Sequence, residues 1–237
     1  MKRRANVFFV CSPSARVGVS TTARLLTDYH IFTNAPVIGF ETDPHEPRFA
    51  AFFPDYVQVI DVSDIKGQIT LFDSLLAPDD TTKIVDVWHR SFPRFFETVR
   101  DIGFIEEAER LGIEPIILYH ADASKIALEG ALALHEQWPG VTMMLVHNEG
   151  ASPLEPQGLE LLRNYPAQGN FVVAPLPAPV AKVLDDPNLS LATFLRDPPM
   201  DMSIVVRAAL KAWIGPVFTQ FQSFELRQRL ESSAYLQ

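Results

Sequence analysis

Short apolar runs alternate along this chain with longer stretches in which apolar positions recur every three or four residues. Runs of the first kind predict buried strands, and stretches of the second predict helices laid against them. Ala5–Val10, Pro36–Phe40, Lys83–Trp88, Glu114–Tyr119, Val141–Val146 and Asn170–Val173 are predicted strands, with Val57–Val62 a further extended segment. Helices are predicted over Ser20–His30, Ile65–Leu76 and Phe92–Leu111, the last with a break near Gly103. Asp122 is placed to cap a helix over Ala123–Trp138, which Pro139-Gly140 ends. The tail predicts two helices, Met202–Trp213 and Val217–Glu231, separated by Gly215-Pro216. Strands that alternate with helices in this way predict an α/β fold: a doubly wound, mostly parallel sheet with helices on both faces. The loop over 12–19 is expected at the carboxyl end of a central strand.

Composition narrows the picture. The chain has 237 residues, of which 47% are hydrophobic and 21% charged, enough to build a sizeable core. No Gly/Ser-rich linker divides it, so residues 1–237 are read as one domain with 202–237 a helical extension packed on it. A net charge of −9 argues against general nucleic-acid binding, although Lys2-Arg3-Arg4 starts the chain with a small basic cluster. The lone Cys11 permits no internal disulfide. His30, His45, His89, His120, His135 and His147 fall into no metal-binding spacing. The apolar run over 5–11 is too short to span a membrane and too interrupted for a signal peptide, so a cytoplasmic location is expected.

The chemistry concentrates in Cys11-Ser12-Pro13-Ser14-Ala15-Arg16-Val17-Gly18-Val19-Ser20-Thr21-Thr22, between the first strand and the first helix. A glycine-bearing loop at a helix N-terminus can wrap phosphates with backbone N–H groups, assisted by the helix dipole. Gly18 and Ser20 stand where a phosphate-binding loop carries its last glycine and its Mg²⁺-binding hydroxyl, but Val19 occupies the lysine position. The segment resembles the deviant Walker A loop of the plasmid-partition and septum-positioning ATPases, the ParA/MinD-like family, whose pattern is GKGGVGKT. Val17, Gly18, Ser20 and Thr21 agree with that pattern; Pro13, Ser14, Ala15, Arg16 and Val19 depart from it. Ser14 replaces the family's signature lysine.

Three later segments extend the resemblance in the right order over residues 5–195. Phe40-Glu41-Thr42-Asp43-Pro44 is similar to the family's acidic turn, which implies a catalytic position for Asp43 near a γ-phosphate. Lys83-Ile84-Val85-Asp86-Val87 resembles its Walker B strand, implying that Asp86 holds Mg²⁺ together with Ser20. Val146-His147-Asn148 and Ala174-Pro175-Leu176-Pro177 resemble the loops that flank the base, implying Asn148 and Pro175 as nucleotide contacts. Arg16, Val17, Gly18, Val19, Ser20 and Thr21 are then the cofactor-binding loop. Each residue also has an ordinary reading: Asp43 and Asp86 as turn or capping residues, Asn148 as a turn residue, Arg16 as a surface charge or a substitute for a lost lysine.

The resemblance implies a switch protein that binds ATP or ADP with Mg²⁺ and acts through a protein partner, and as a homodimer, in positioning, partition or regulation. Loss of both lysines implies weak binding and little or no hydrolysis, because phosphoryl transfer needs positive groups aimed at the transferring phosphate. The alternative is a nucleotide-free adaptor or structural subunit. A phosphatase reading of Cys11 and Arg16 has the wrong spacing, Cys-x₄-Arg, and Cys11 is read as the buried end of the first strand. Val217, Phe218, Phe221, Phe224 and Leu230 form an amphipathic face in the tail. Arg227 and Arg229 are offset there by Glu225 and Glu231, so packing on the parent domain or a second subunit is expected in place of membrane binding.

Overall fold

The computed structural model describes residues 5–154 and 160–234. The basic start Lys2-Arg3-Arg4 lies outside them, as does the side chain of Glu231. In chain order the elements are β1 Asn6–Cys11, α1 Val19–Phe32, β2 Val37–Glu41, α2 Arg48–Phe52, β3 Val57–Val59, α3 Ile65–Leu75 and β4 Thr82–Asp86. There follow α4 Phe92–Asp101, α5 Phe104–Arg110, β5 Glu114–His120, α6 Lys125–Gln137, β6 Thr142–Asn148 and β7 Gly169–Val173. The helices α7 Ala178–Leu184, α8 Leu191–Arg196 and α9 Ile204–Ala234 complete the described chain.

The seven strands form one sheet in the order β3-β2-β4-β1-β5-β6-β7, and every pairing is parallel. A parallel sheet buries both faces, which is why its strands read as continuous apolar runs. In β1, Val7, Phe9 and Cys11 enter one core, while Phe8 and Val10 enter the other. The first core is covered by α3, α4, α5 and α6; the second by α1, α2, α7, α8 and α9. The doubly wound α/β fold expected from the sequence is therefore the one observed. Cys11 is fully buried in the first core, where burial pushes its thiol well above the usual range, as suits a packing residue.

Two expectations need correction. Asp122 does not cap α6: the N-cap is Ser124, whose hydroxyl accepts from Ala127 N, and Asp122 stands two positions back, accepting from Ser124 N at 2.7 Å. A serine in extended conformation directly before the helix meets the N3 amide better than a residue two positions earlier.

The tail is likewise one helix, with Pro216 inside it. Interior proline costs about 3 kcal/mol in an isolated helix. Here Trp213, Ile214, Val217, Phe218, Phe221 and Phe224 bury one apolar face across the proline, which outweighs that penalty. Leu230 is 71% exposed and stands apart from this face. Among the described residues no helix is long and apolar enough to cross a membrane.

Three short helices, α2, α7 and α8, went unseen in the sequence because five to seven residues are too few to display a helical period. The expected break near Gly103 is present: Gly103 takes φ +63° and separates α4 from α5.

Candidate functional site

β1 is the fourth of seven strands, and the chain leaves it toward β2 on one side, while β5 leads to β6 on the other. The crevice outside the carboxyl ends at such a reversal is where open α/β sheets take ligands. Residues 12–18 lie there.

The loop is built by constraints at both ends. At its start, the Ser12 hydroxyl donates to the His120 carbonyl at 3.0 Å and accepts from Ser14 N at 3.2 Å, tying the loop to the end of β5. At its apex Arg16 adopts φ +61° with an exposed side chain. Beneath, the His120 ring reaches up so that Nδ1 lies 3.0 Å from the Val17 carbonyl. A carbonyl can only accept, so Nδ1 carries the proton and Nε2, buried and without a hydrogen-bond partner, is the bare nitrogen.

Gly18 closes the loop with φ +97°, a conformation that disfavours a side chain. A Cβ there would also stand 2.2 Å from Asn148 Nδ2. Asn148 is fixed in turn by its Oδ1, which accepts from Gly150 N and Ala151 N at 3.1 Å each.

No side chain caps α1, and none of the N–H groups of Val19, Ser20 and Thr21 donates to another group among the described residues. These are the orphan donors of a 14-residue helix, carrying the positive end of its dipole toward the loop. Val19 itself is half-buried and packs against the second core.

Across the crevice, Asp86 ends β4, aligned with Val10 on β1 and Glu41 on β2. Its backbone carbonyl accepts from the N–H and the hydroxyl of Thr42, both at 3.1 Å, and that hydroxyl accepts from Trp88 N at 2.8 Å. This bracket holds the carboxylate in place. Its Oδ2 is buried with no hydrogen-bond partner. Burial pushes the Asp86 carboxyl up to about 7, against the lowering influence of the Ser20 hydroxyl; Glu41 and Asp43 push it further up.

A hydroxyl beside a desolvated carboxylate with a bare oxygen is a hard-oxygen donor set, suited to a hard divalent cation such as Mg²⁺. Among the described residues no group of three or more His, Cys, Asp or Glu side chains is gathered to hold a metal. Two donors fit an ion that keeps most of its water.

The other expected residues fall as follows. Asp43 sits in the turn after β2, near enough to raise Asp86, but its Oδ1 accepts from His45 N and Glu46 N and so closes the turn. Glu41, not singled out from the sequence for a role of its own, caps α2 by accepting from Phe49 N and Ala50 N. Thr21 lies on the first turn of α1, half-exposed. Pro175 is brought to Asn148 through Gly150, whose α-hydrogen faces it: a Cβ there would lie 3.1 Å from Pro175 Cα. Ser12, Thr42 and His120 were missed as site residues. Only the loop hydroxyl of Ser12 carried a local signal.

His120 sets a pH dependence. Burial lowers its imidazole from 6.5 to about 4, while the bond to Val17 acts in the opposite direction. The unfolded chain thus takes up this proton first on acidification. The stabilising contribution of neutral His120 is complete above pH 6.5 and is lost as the pH falls toward 4, by about 3 kcal/mol in all. Asp28, raised by burial to about 6, pulls the other way. The expected result is therefore read as a difference. His120→Asn retains a donor at the δ position, so wild type should lose about 2–3 kcal/mol against it between pH 7.5 and 4.5 in urea unfolding. A difference that does not vary with pH would exclude this role.

No family model matches the chain, and no curated protein matches it in sequence. Solved structures similar to it include a nucleotide-binding protein in complex with ADP from Archaeoglobus fulgidus, at 14% identity and a TM-score of 0.49 over 78% of this chain and 87% of that one. FtsY from Mycoplasma mycoides is similar at 11% identity and a TM-score of 0.42 over 61% of this chain and 52% of that one. By its own topology the chain is a doubly wound α/β protein with a constrained, glycine-closed loop at the point where the sheet reverses.

Proposed function

We propose that the protein is a nucleotide-binding switch of the P-loop type, taking ATP or ADP with Mg²⁺ at the loop over 12–18 and hydrolysing it slowly or not at all. The observation that carries this reading is the pairing of the uncapped first turn of α1 with the bare, buried oxygen of Asp86 beside Ser20. The first calls for an anion and the second for a cation, and Mg²⁺-bound phosphate supplies both. Ser20 and Asp86 would hold the metal. The N–H groups of Gly18–Thr21 would meet the phosphates, and Asp43 would face the terminal one. Mg²⁺ would neutralise phosphate charge when bound. The chain's own residues fix the loop, exclude water beneath it and hold the carboxylate. The sequence resemblance to the ParA/MinD-like family supports a homodimer and a protein partner in positioning, partition or regulation.

Calorimetric titration of ADP and of pyrophosphate, each with and without Mg²⁺, tests the reading. Mg²⁺-dependent binding of both is expected; absence of binding by either sinks it. Turnover should be negligible, since Ser14 and Val19 stand where lysines would meet developing charge. Val19→Lys is expected to tighten Mg·ATP roughly ten- to a hundredfold, the equivalent of one charge-assisted hydrogen bond of about 1.5–3 kcal/mol. The half-buried stem can stay on the core while its ammonium reaches the loop. Unchanged affinity in a folded Val19→Lys variant would mean that the side chain points away from the phosphates.

A second reading, a nucleotide-free adaptor, is favoured by two contacts within the site. Ser14 N is already taken by Ser12, and the Asn148 carbonyl oxygen by its own turn. The same titrations decide between the two.

A further inference from the structure

The outer face of α1 borders a cavity of about 370 Å³ that begins at Ser20 and Thr21, on the first turn of the helix. Its walls come from three directions. Ala51 and Phe52 of α2 form one; Asp185 and Leu191, on either side of the α7–α8 connection, form the second; Trp213 of α9 forms the third.

A single buried side chain fastens the first two of these walls. Arg24, 4% exposed, lies 3.6 Å over the Phe52 ring and donates to the carbonyls of Leu184 and Leu189. One turn further along, Asp28 accepts from Ala192 N at 3.0 Å and holds the start of α8. Trp213 donates its indole N–H to the Ala174 carbonyl at 2.9 Å, linking the cavity to the loop that follows β7. With its guanidinium stacked and doubly bonded, Arg24 serves the walls. The charged groups exposed at the cavity are then the Asp185 carboxylate and Arg48, the latter paired to Glu46 at 2.6 Å.

We infer that this cavity takes the nucleoside of the phosphate-bearing ligand whose phosphates occupy the loop over 12–18. The inference rests on the reading in Proposed function and specifies where the rest of that ligand lies. The cavity begins at Ser20 and Thr21, on the first turn of α1 where the loop over 12–18 ends, so one small molecule reaches both. Their polarity differs in the required sense. The end of α1 attracts anions, whereas in the cavity Arg48 is paired to Glu46 and the Asp185 carboxylate can accept from ribose hydroxyls or an exocyclic amine. Phe52 and Ala51, backed by the buried Leu191 and Trp213, supply the apolar surface that a purine or pyrimidine ring needs. Asn148, by contrast, has its carboxamide oxygen in a turn and its nitrogen against Gly18.

The test compares ADP with pyrophosphate, both with Mg²⁺, on wild type, Ala51→Trp and Asp185→Asn. Ala51 is exposed at the cavity wall, so the larger ring narrows the space without entering the core. Wild type is expected to bind ADP at least tenfold more tightly than pyrophosphate. Ala51→Trp should weaken ADP tenfold or more and Asp185→Asn severalfold, with pyrophosphate unchanged in both. Photolabelling with an azidopurine nucleotide should mark peptides containing 48–52 or 184–191.

Equal affinities for ADP and pyrophosphate in wild type, ADP binding indifferent to both variants, or labelling confined to 148–152 and 174–177 would each overturn the inference and leave the phosphate loop standing. If Ala51→Trp weakens both ligands alike, the Asp185→Asn ratio decides: a selective loss for ADP upholds the cavity, and no change rejects it. Failure of wild type to bind either ligand removes the loop reading itself.

Discussion

Asp86→Asn is expected to make the ligand-free protein more stable while abolishing its response to Mg²⁺. The carboxylate is 5% exposed, its Oδ2 has no hydrogen-bond partner, and burial drives its affinity for a proton far above the ordinary range. A buried, uncompensated charge costs several kcal/mol, and a neutral isostere removes most of that cost. Asparagine keeps the shape, and the Thr42 bracket acts on the Asp86 backbone carbonyl, which the substitution leaves in place. A gain of about 1–3 kcal/mol in urea unfolding at pH 8 is therefore expected. The same change removes the anionic donor beside Ser20, so the Mg²⁺-dependent part of ADP affinity should disappear. Destabilisation by Asp86→Asn would show that the carboxylate has a partner within the fold and is structural. A stabilised variant that still responds to Mg²⁺ would place the metal elsewhere.

Gly18→Ala should be the most damaging single methyl group in the site. Alanine at φ +97° is strained by about 1–2 kcal/mol, and its Cβ would overlap Asn148 Nδ2 at 2.2 Å. Asn148 cannot step aside freely, because its Oδ1 holds two backbone amides of the next turn. A loss of about 2–4 kcal/mol in stability is expected, together with loss of pyrophosphate binding. The two causes separate in a double-mutant cycle. Asn148→Ala alone forfeits its turn bonds at about 1–2 kcal/mol. In the Asn148→Ala background, Gly18→Ala should cost less than in wild type by the clash alone, leaving only the backbone strain. Strict additivity of the two substitutions would mean that the side chains do not meet.

Much of the fold was legible in the chain because its signals are local. Strands buried on both faces appear as unbroken apolar runs, as in β1, where Val7, Phe9 and Cys11 enter one core and Phe8 and Val10 the other; its central position was expected from the alternation of strand-like runs with helical stretches. Gly103 announced the break between α4 and α5 because a residue in the left-handed region is a local event. The tail misled for the opposite reason. Gly215-Pro216 is a strong local signal for a break, and only the continuous burial from Trp213 to Phe224 against the second core overrides it.

The site divides along the same line. Gly18, Ser20 and Asp86 could be picked out because a phosphate loop and an acidic strand end depend on residue type at fixed spacing along the chain. Nothing local marks His120, 103 positions from the Val17 carbonyl it supports, or Asn148 as the neighbour that keeps residue 18 a glycine. Nor does any segment foretell a cavity whose walls Arg24 gathers from Phe52, Leu184 and Leu189. Periodicity and backbone preference act between neighbours in sequence, so the sequence by itself determined the alternating elements and the loop at their centre. Hydrogen bonding and exclusion of water act between neighbours in space, so only the packed structure decided which buried groups were left without partners.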